Sequence, residues 1–225
     1  MSADVKDSAG VRVWDLPTRL FHWLLVALIV LLYATGEYGL LDMRWHFWLG
    51  YAALALLMFR LLWGLFGSQT SRFTDFVRGP IAVGRYVKTQ MSTNAHVSIG
   101  HNPLGGWSVL ALLLSVLLQS VTGLFASDEI DTDGPLVGYV PGYTVKLMTR
   151  LHHWNENLLL LLIALHVGAV LFYLLVKHDN LIAPMVTGRK RGLEPRTLRF
   201  ASTWLALALL ILSATAVAAL VLYAG

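Results

Sequence analysis

Five apolar runs of about twenty residues, at 20–40, 45–66, 106–126, 158–176 and 200–223, constrain this chain more than any other feature. Each is long enough to cross the hydrocarbon core of a bilayer as a helix, which satisfies its own backbone polar groups there. The expected fold is therefore all-α: an integral membrane four-helix bundle at 20–177 followed by a fifth, C-terminal transmembrane helix within 200–225. Composition agrees, since 56% of the 225 residues are hydrophobic and only 13% are charged. A polar arm at 1–19 precedes the first span, with Pro17 punctuating the helix start, and a basic loop occupies 178–199. The first run carries His22 and Trp23 and leads into Thr35 and Gly36, so it reads as a span and not as a cleaved signal segment.

Lys and Arg set the expected orientation. Lys6, Arg12 and Arg19 lie in the arm, Arg72, Arg78, Arg85 and Lys88 in the second loop, and Lys177, Arg189, Lys190, Arg191, Arg196 and Arg199 after the fourth span. Only Arg44, Lys146 and Arg150 fall on the opposite side. This asymmetry predicts a cytoplasmic N-terminus, a periplasmic C-terminus and a place in a bacterial inner membrane. It also accounts for the net charge of +4 without a nucleic-acid partner. The second loop, at 67–105, is long enough to hold an amphipathic interfacial helix near 83–91, whereas the loop at 127–149, rich in Asp, Gly and Pro, reads as irregular external structure.

Histidines interrupt the spans. His152 and His166 are fourteen residues apart, an interval that returns to within about 40° on a helix while rising about 21 Å. One helix thus aims two imidazoles the same way at two depths, and polar groups at such depths point to function. In the expected topology His46 meets His152 near the external side, and His22 meets His166 near the cytoplasmic side. Each pair offers two neutral imidazoles to one haem iron, so two haems b stacked across the bilayer are expected. His153, thirteen residues before His166, would face about 220° away from it, so His152 is preferred and His153 is assigned to the interface. The chain has no cysteine, which excludes disulfides, iron–sulfur clusters, thiolate sites and covalently attached haem.

The same interval picks out further candidates. Arg60 follows His46 by fourteen residues, and with no acid in the first three spans except Glu37 at the far end of the first, a buried guanidinium there would need an anion, such as a haem propionate. Gly36 follows His22 by fourteen residues; Gly36, Gly50 and Gly123 would let a porphyrin plane approach the backbone, although small-residue helix packing explains each as well. The first and third spans also end alike, at Thr35-Gly36 and Thr122-Gly123. On the cytoplasmic side, His101, Arg72 and Arg19 are candidates for a polar quinone pocket, while His96 and His178 read as loop polar groups.

Taken together, several strings resemble the bacterial cytochrome b561 family, which includes the b-type cytochrome subunit of nickel-iron hydrogenases. They are Arg19-Leu20-Phe21-His22-Trp23, His46 with Gly50, Arg60-Leu61-Leu62-Trp63-Gly64, and His101-Asn102-Pro103-Leu104-Gly105-Gly106. His152 with His166 and the run from Asn180 to Arg191 complete the set, covering about residues 12–192. The resemblance implies a four-helix bundle with two noncovalent haems b that passes electrons between an external redox partner and the quinone pool. It places the haem ligands at His22, His46, His152 and His166. The histidine-free fifth span departs from the family's minimal pattern, and its alanine-rich stretch at 214–219 would suit a partner helix or a second copy of the chain. External acids Glu37, Asp42, Asp128, Glu129, Asp131 and Asp133 outnumber Arg44, Lys146 and Arg150, which favours a basic partner, a periplasmic cytochrome c, hydrogenase-like or other redox subunit, over an anion such as superoxide. Two other readings compete: a haem-free transporter or proton relay, against which the absence of Pro within the five runs counts, and a haem-containing anchor without quinone turnover.

Overall fold

The computed structural model describes residues 10–90, 100–128, 132–194 and 196–224; Lys6, Met91, His96, Glu129 and Asp131 lie outside the described residues. A short strand β1 (Val11–Arg12) leads into α1 (Leu16–Glu37) and α2 (Met43–Phe66). A 3-10 turn (Gln69–Ser71), α3 (Phe73–Phe76) and α4 (Pro80–Gln90) connect to α5 (Pro103–Gly123). A second 3-10 turn (Val137–Tyr139) precedes α6 (Gly142–Leu175), and α7 (Ile182–Thr187), β2 (Arg189–Lys190) and α8 (Thr203–Ala224) complete the chain.

Helices α1, α2, α5, α6 and α8 are long and apolar enough to cross a membrane. Backbones pack closely between α1 and α2, α2 and α5, α5 and α6, and α2 and α8, which makes α2 the central helix. The burial gradient runs opposite to that of a water-soluble protein. The most apolar windows, in α6 and α8 (mean hydropathy 2.7), are 6% and 17% buried, whereas that of α2 (1.8) is 44% buried. Such an inversion fits a bundle whose outer faces meet lipid and whose interior holds the polar groups. The core at one end joins Phe21, Leu57, Phe59, Trp63, Leu113, Leu159 and Ala206; a second cluster joins Leu54, Leu124 and Val217.

Helix starts are decided by caps and not by hydropathy. Asp15 accepts from Thr18 N at 2.7 Å, Asp42 from Arg44 N at 2.9 Å, and Asn102 from Gly105 N at 2.6 Å. For this reason α1 and α5 begin before their apolar runs. The largest correction concerns α6, which starts at Gly142 and not near residue 158: residues 142–149, read as irregular loop, are helical behind Pro141 at the N-cap. Lys146, Arg150 and Glu156 lower hydropathy there without lowering helix propensity. The interfacial helix expected at 83–91 is α4, which begins at Pro80.

The N-terminal arm is not simply a polar extension, because Val13, Trp14 and Asp15 are buried. Strand β1 pairs antiparallel with β2, Val11 opposite Lys190, and the Val13 and Trp14 amides donate to the Gly188 carbonyl. Gly188 has φ +80, the left-handed geometry that ends α7 and turns the chain back; a side chain there would meet the Trp14 carbonyl at 2.9 Å.

A buried amide ties α5 to α6. Asn155, with no exposed surface, donates to the Ser115 carbonyl at 2.9 Å and to Gln119 Oε1 at 2.7 Å, and accepts from Ser115 Oγ at 3.1 Å. Asn155→Leu is expected to destabilise the bundle by about 1–2 kcal/mol, since it leaves these partners unsatisfied. Unfolding of detergent-solubilised protein measures the difference.

Candidate functional site

Two pairs of imidazoles meet inside the bundle. The rings of His46 on α2 and His152 on α6 have centroids 6.4 Å apart and planes at 74°. Those of His22 on α1 and His166 on α6 are 6.5 Å apart at 53°. Metal–imidazole bonds of about 2 Å put two rings that share one metal from opposite sides at roughly 6 Å between centres. Each pair therefore has the separation that two axial ligands require. Fourteen residues along α6 set the two pairs about 21 Å apart.

At the His46–His152 end the tautomers can be read from the partners. His46 Nδ1 lies 3.1 Å from the Leu32 carbonyl and 3.1 Å from Thr35 Oγ1. His152 Nδ1 lies 3.0 Å from the Gln119 carbonyl and 3.2 Å from Thr122 Oγ1. A carbonyl only accepts, so both Nδ1 atoms carry the proton and both Nε2 atoms keep a lone pair for a metal. Gly36 and Gly123 complete the match: a Cβ on either would stand 3.0 Å from Cε1 of the neighbouring histidine. The repeated Thr-Gly dipeptide is thus one device used twice, at the end of α1 to hold the histidine of α2 and at the end of α5 to hold that of α6.

A partly open cavity of about 260 Å³ adjoins these rings and is lined by Gly36, His46, Gly50, Gly123, His152 and Glu156 among others. Gly36 and Gly123 adjoin histidine rings, whereas a Cβ at Gly50 would meet no protein atom within 4 Å. His153 is exposed, with its ring 6.2 Å from that of His152, and lines the rim of the same cavity.

The opposite end gathers polar atoms that the protein itself leaves unmatched. His22 Nδ1, Arg60 Nη1, His101 Nδ1 and Arg19 Nε are all buried without a hydrogen-bond partner. Arg60 is 3% exposed and lies against the rings of Phe21 and Phe73. The acid that acts electrostatically on it comes from ahead of the first apolar run: Asp15, itself buried as the cap of α1. Asp15 also accepts from Trp63 Nε1 at 3.2 Å. Hydropathy hid this acid, which precedes the apolar run; the Asp-x-Pro helix-start pattern was its one signal.

The three residues considered for a quinone pocket have different surroundings. His101 packs between Trp14 and Phe76, with ring centroids at 4.9 and 4.6 Å. Burial, reinforced by the positive charge of Arg60, pushes its pKa down to about 3, so it is a neutral imidazole at physiological pH. Arg19 donates to the Val186 carbonyl, and Arg72 donates its Nε–H to the Gly67 carbonyl at 2.8 Å. Among the described residues no three His, Asp or Glu converge as a self-sufficient metal site; the pairs offer two ligands each, the number a porphyrin-bound iron leaves to the protein.

Membrane-length helices that bring histidines together in pairs, in a chain without cysteine, make a membrane b-type cytochrome, the class that holds haem noncovalently and carries electrons. More narrowly, the chain belongs to the prokaryotic cytochrome b561 family, whose pattern matches residues 13–188, from the buried arm through α7. No curated protein and no solved structure matches the chain.

Proposed function

We propose that this cytochrome carries electrons across the bacterial inner membrane between a periplasmic redox protein and membrane quinone. Two haems b, one between His46 and His152 and one between His22 and His166, would supply reversible one-electron chemistry. The observation that carries this reading is the pair of ring separations, 6.4 and 6.5 Å, at two levels of one bundle. Orphaned Arg60 Nη1 and Arg19 Nε support a carboxylate-bearing cofactor at the His22–His166 end, where a propionate could accept from them. His101 and Arg19 contribute a polar edge there suited to a quinone carbonyl. Bis-histidine ligation would leave no coordination position for oxygen.

The charge asymmetry of the loops supports a cytoplasmic N-terminus and a periplasmic C-terminus, which places His46 and His152 on the outside. Glu37, Asp42, Asp128 and Asp133 favour a basic redox partner on that side, although Asp42 is already paired with Arg44 at 3.0 Å. Helix α8 uses Ala206, Ser213 and Val217 against the rest of the bundle and leaves Ala214 and Ala218 exposed for a second copy or another membrane subunit.

Haem quantitation with optical spectra tests the assignment. The parent protein should bind two haems; His46→Ala or His152→Ala should remove one of them, and His22→Ala or His166→Ala the other. A haem-free preparation, or unchanged content in all four variants, rejects the ligand assignment.

A further inference from the structure

The two histidine pairs are not equivalent, and the difference has a direction. At one pair, both Nδ1–H groups are held between a helix carbonyl and a threonine hydroxyl, in the same arrangement on α1 and on α5. Each threonine donates its own proton along its helix, Thr35 to the Leu31 carbonyl at 2.9 Å and Thr122 to the Leu118 carbonyl at 2.7 Å. Such back-bonding is ordinary in membrane helices, but it leaves the hydroxyl oxygen able only to accept, and that oxygen faces the imidazole. At the other pair, His22 Nδ1 is buried without a partner.

Donating the Nδ1–H to an acceptor makes an imidazole a stronger electron donor through Nε2, which stabilises the oxidised metal. Charge acts in the same sense. Glu37 and Glu156 line the cavity beside His46 and His152, whereas the Arg60 guanidinium stands at the His22–His166 end, where it acts on His101 together with both histidines. Carboxylates stabilise the oxidised state and a cation stabilises the reduced one.

We propose that Thr35-Gly36 and Thr122-Gly123 form a duplicated clamp that positions His46 and His152 and holds their haem at a lower reduction potential than the His22–His166 haem. The inference rests on the ligand assignment above. Its consequence would be a downhill path from the periplasmic to the cytoplasmic side: a haem held by His46 and His152 would pass one electron at a time to one held by His22 and His166, with no proton required between them. The electron comes from the external redox protein, and quinone takes two such electrons with two protons.

Redox titration of the purified two-haem protein, followed optically, is the test. Thr35→Val and Thr122→Val keep side-chain shape and remove the acceptor. Each should raise the lower midpoint by the equivalent of about threefold in the oxidised-to-reduced ratio, and the double variant by about tenfold, which is about 59 mV for a one-electron couple. The upper midpoint should stay, and Thr35→Ser with Thr122→Ser should restore the parent value. In His46→Ala the surviving haem should titrate at the upper potential. Movement of the upper midpoint, no movement at all, serine behaving like valine, or a His46→Ala survivor at the lower potential overturns the proposal. Should the valine variants lose haem, the His46→Ala survivor decides it. Two haems retained in both His46→Ala and His22→Ala would instead reject the ligand assignment itself.

Discussion

Asp15→Ala should destabilise the protein by about 2–4 kcal/mol, the cost of a lost helix cap together with an unmatched buried donor. Three roles end together at this residue, which is 1% exposed. Its carboxylate caps α1 through Thr18 N, accepts the Trp63 indole proton, and is the acid that acts on the Arg60 guanidinium. Loss of the cap is worth about 1 kcal/mol, and leaving the Trp63 donor unmatched adds about 1–3 kcal/mol. Any loss beyond these reports the electrostatic attraction between Asp15 and the buried Arg60. Asp15→Asn separates the parts, because its amide oxygen can still cap α1 while the charge is gone. Denaturation of the detergent-solubilised protein reads all three chains, and adding Arg60→Leu to Asp15→Ala should recover part of the loss. If the two substitutions are additive, Asp15 and Arg60 do not act on one another.

Asp15 also shows where a linear reading loses information. Hydropathy reveals five helices because twenty apolar residues have few other places to go, and all five spans are helical here. It misplaces their ends because the first turn of a helix is governed by a cap and by charge, as at Asp15, Asn102 and Pro141. The longest error, the start of α6, arises where Lys146, Arg150 and Glu156 make a helix polar without making it irregular. Spacing along α6 carries more than hydropathy does: fourteen residues return a side chain to one face, and the structure brings His152 to His46 and His166 to His22. What spacing along one helix cannot show is contact across a helix pair. The hydroxyl of Thr35 on His46, the matching hydroxyl of Thr122 on His152, and the joining of β1 to β2 across most of the chain all depend on how hairpins fold back. The repeated Thr-Gly was visible in the chain, but its meaning lay in the helix that follows each copy.

The strongest local effect on cofactor binding is expected from those glycines. Gly36→Val and Gly123→Val should each remove the haem held by His46 and His152 and leave the other in place. Neither glycine has a positive φ, so the constraint is space and not backbone freedom. A Cβ at either site already stands 3.0 Å from a histidine Cε1, closer than ordinary van der Waals contact. Alanine thus demands a shift of a few tenths of an ångström, which the ring can absorb with a changed spectrum. Valine adds a second shell of carbons where the imidazole sits and drives it from the axis of its partner. Gly50→Val supplies the contrast, because its Cβ would meet no protein atom within 4 Å. It should leave the haem-free bundle as stable as the parent, so any haem it displaces reports a porphyrin plane lying against α2. Haem-to-protein ratios and the spectrum of the remaining centre measure each case. Gly36→Val acts through His46 and Gly123→Val through His152, yet both must empty the same centre. If they remove different haems, His46 and His152 do not share an iron.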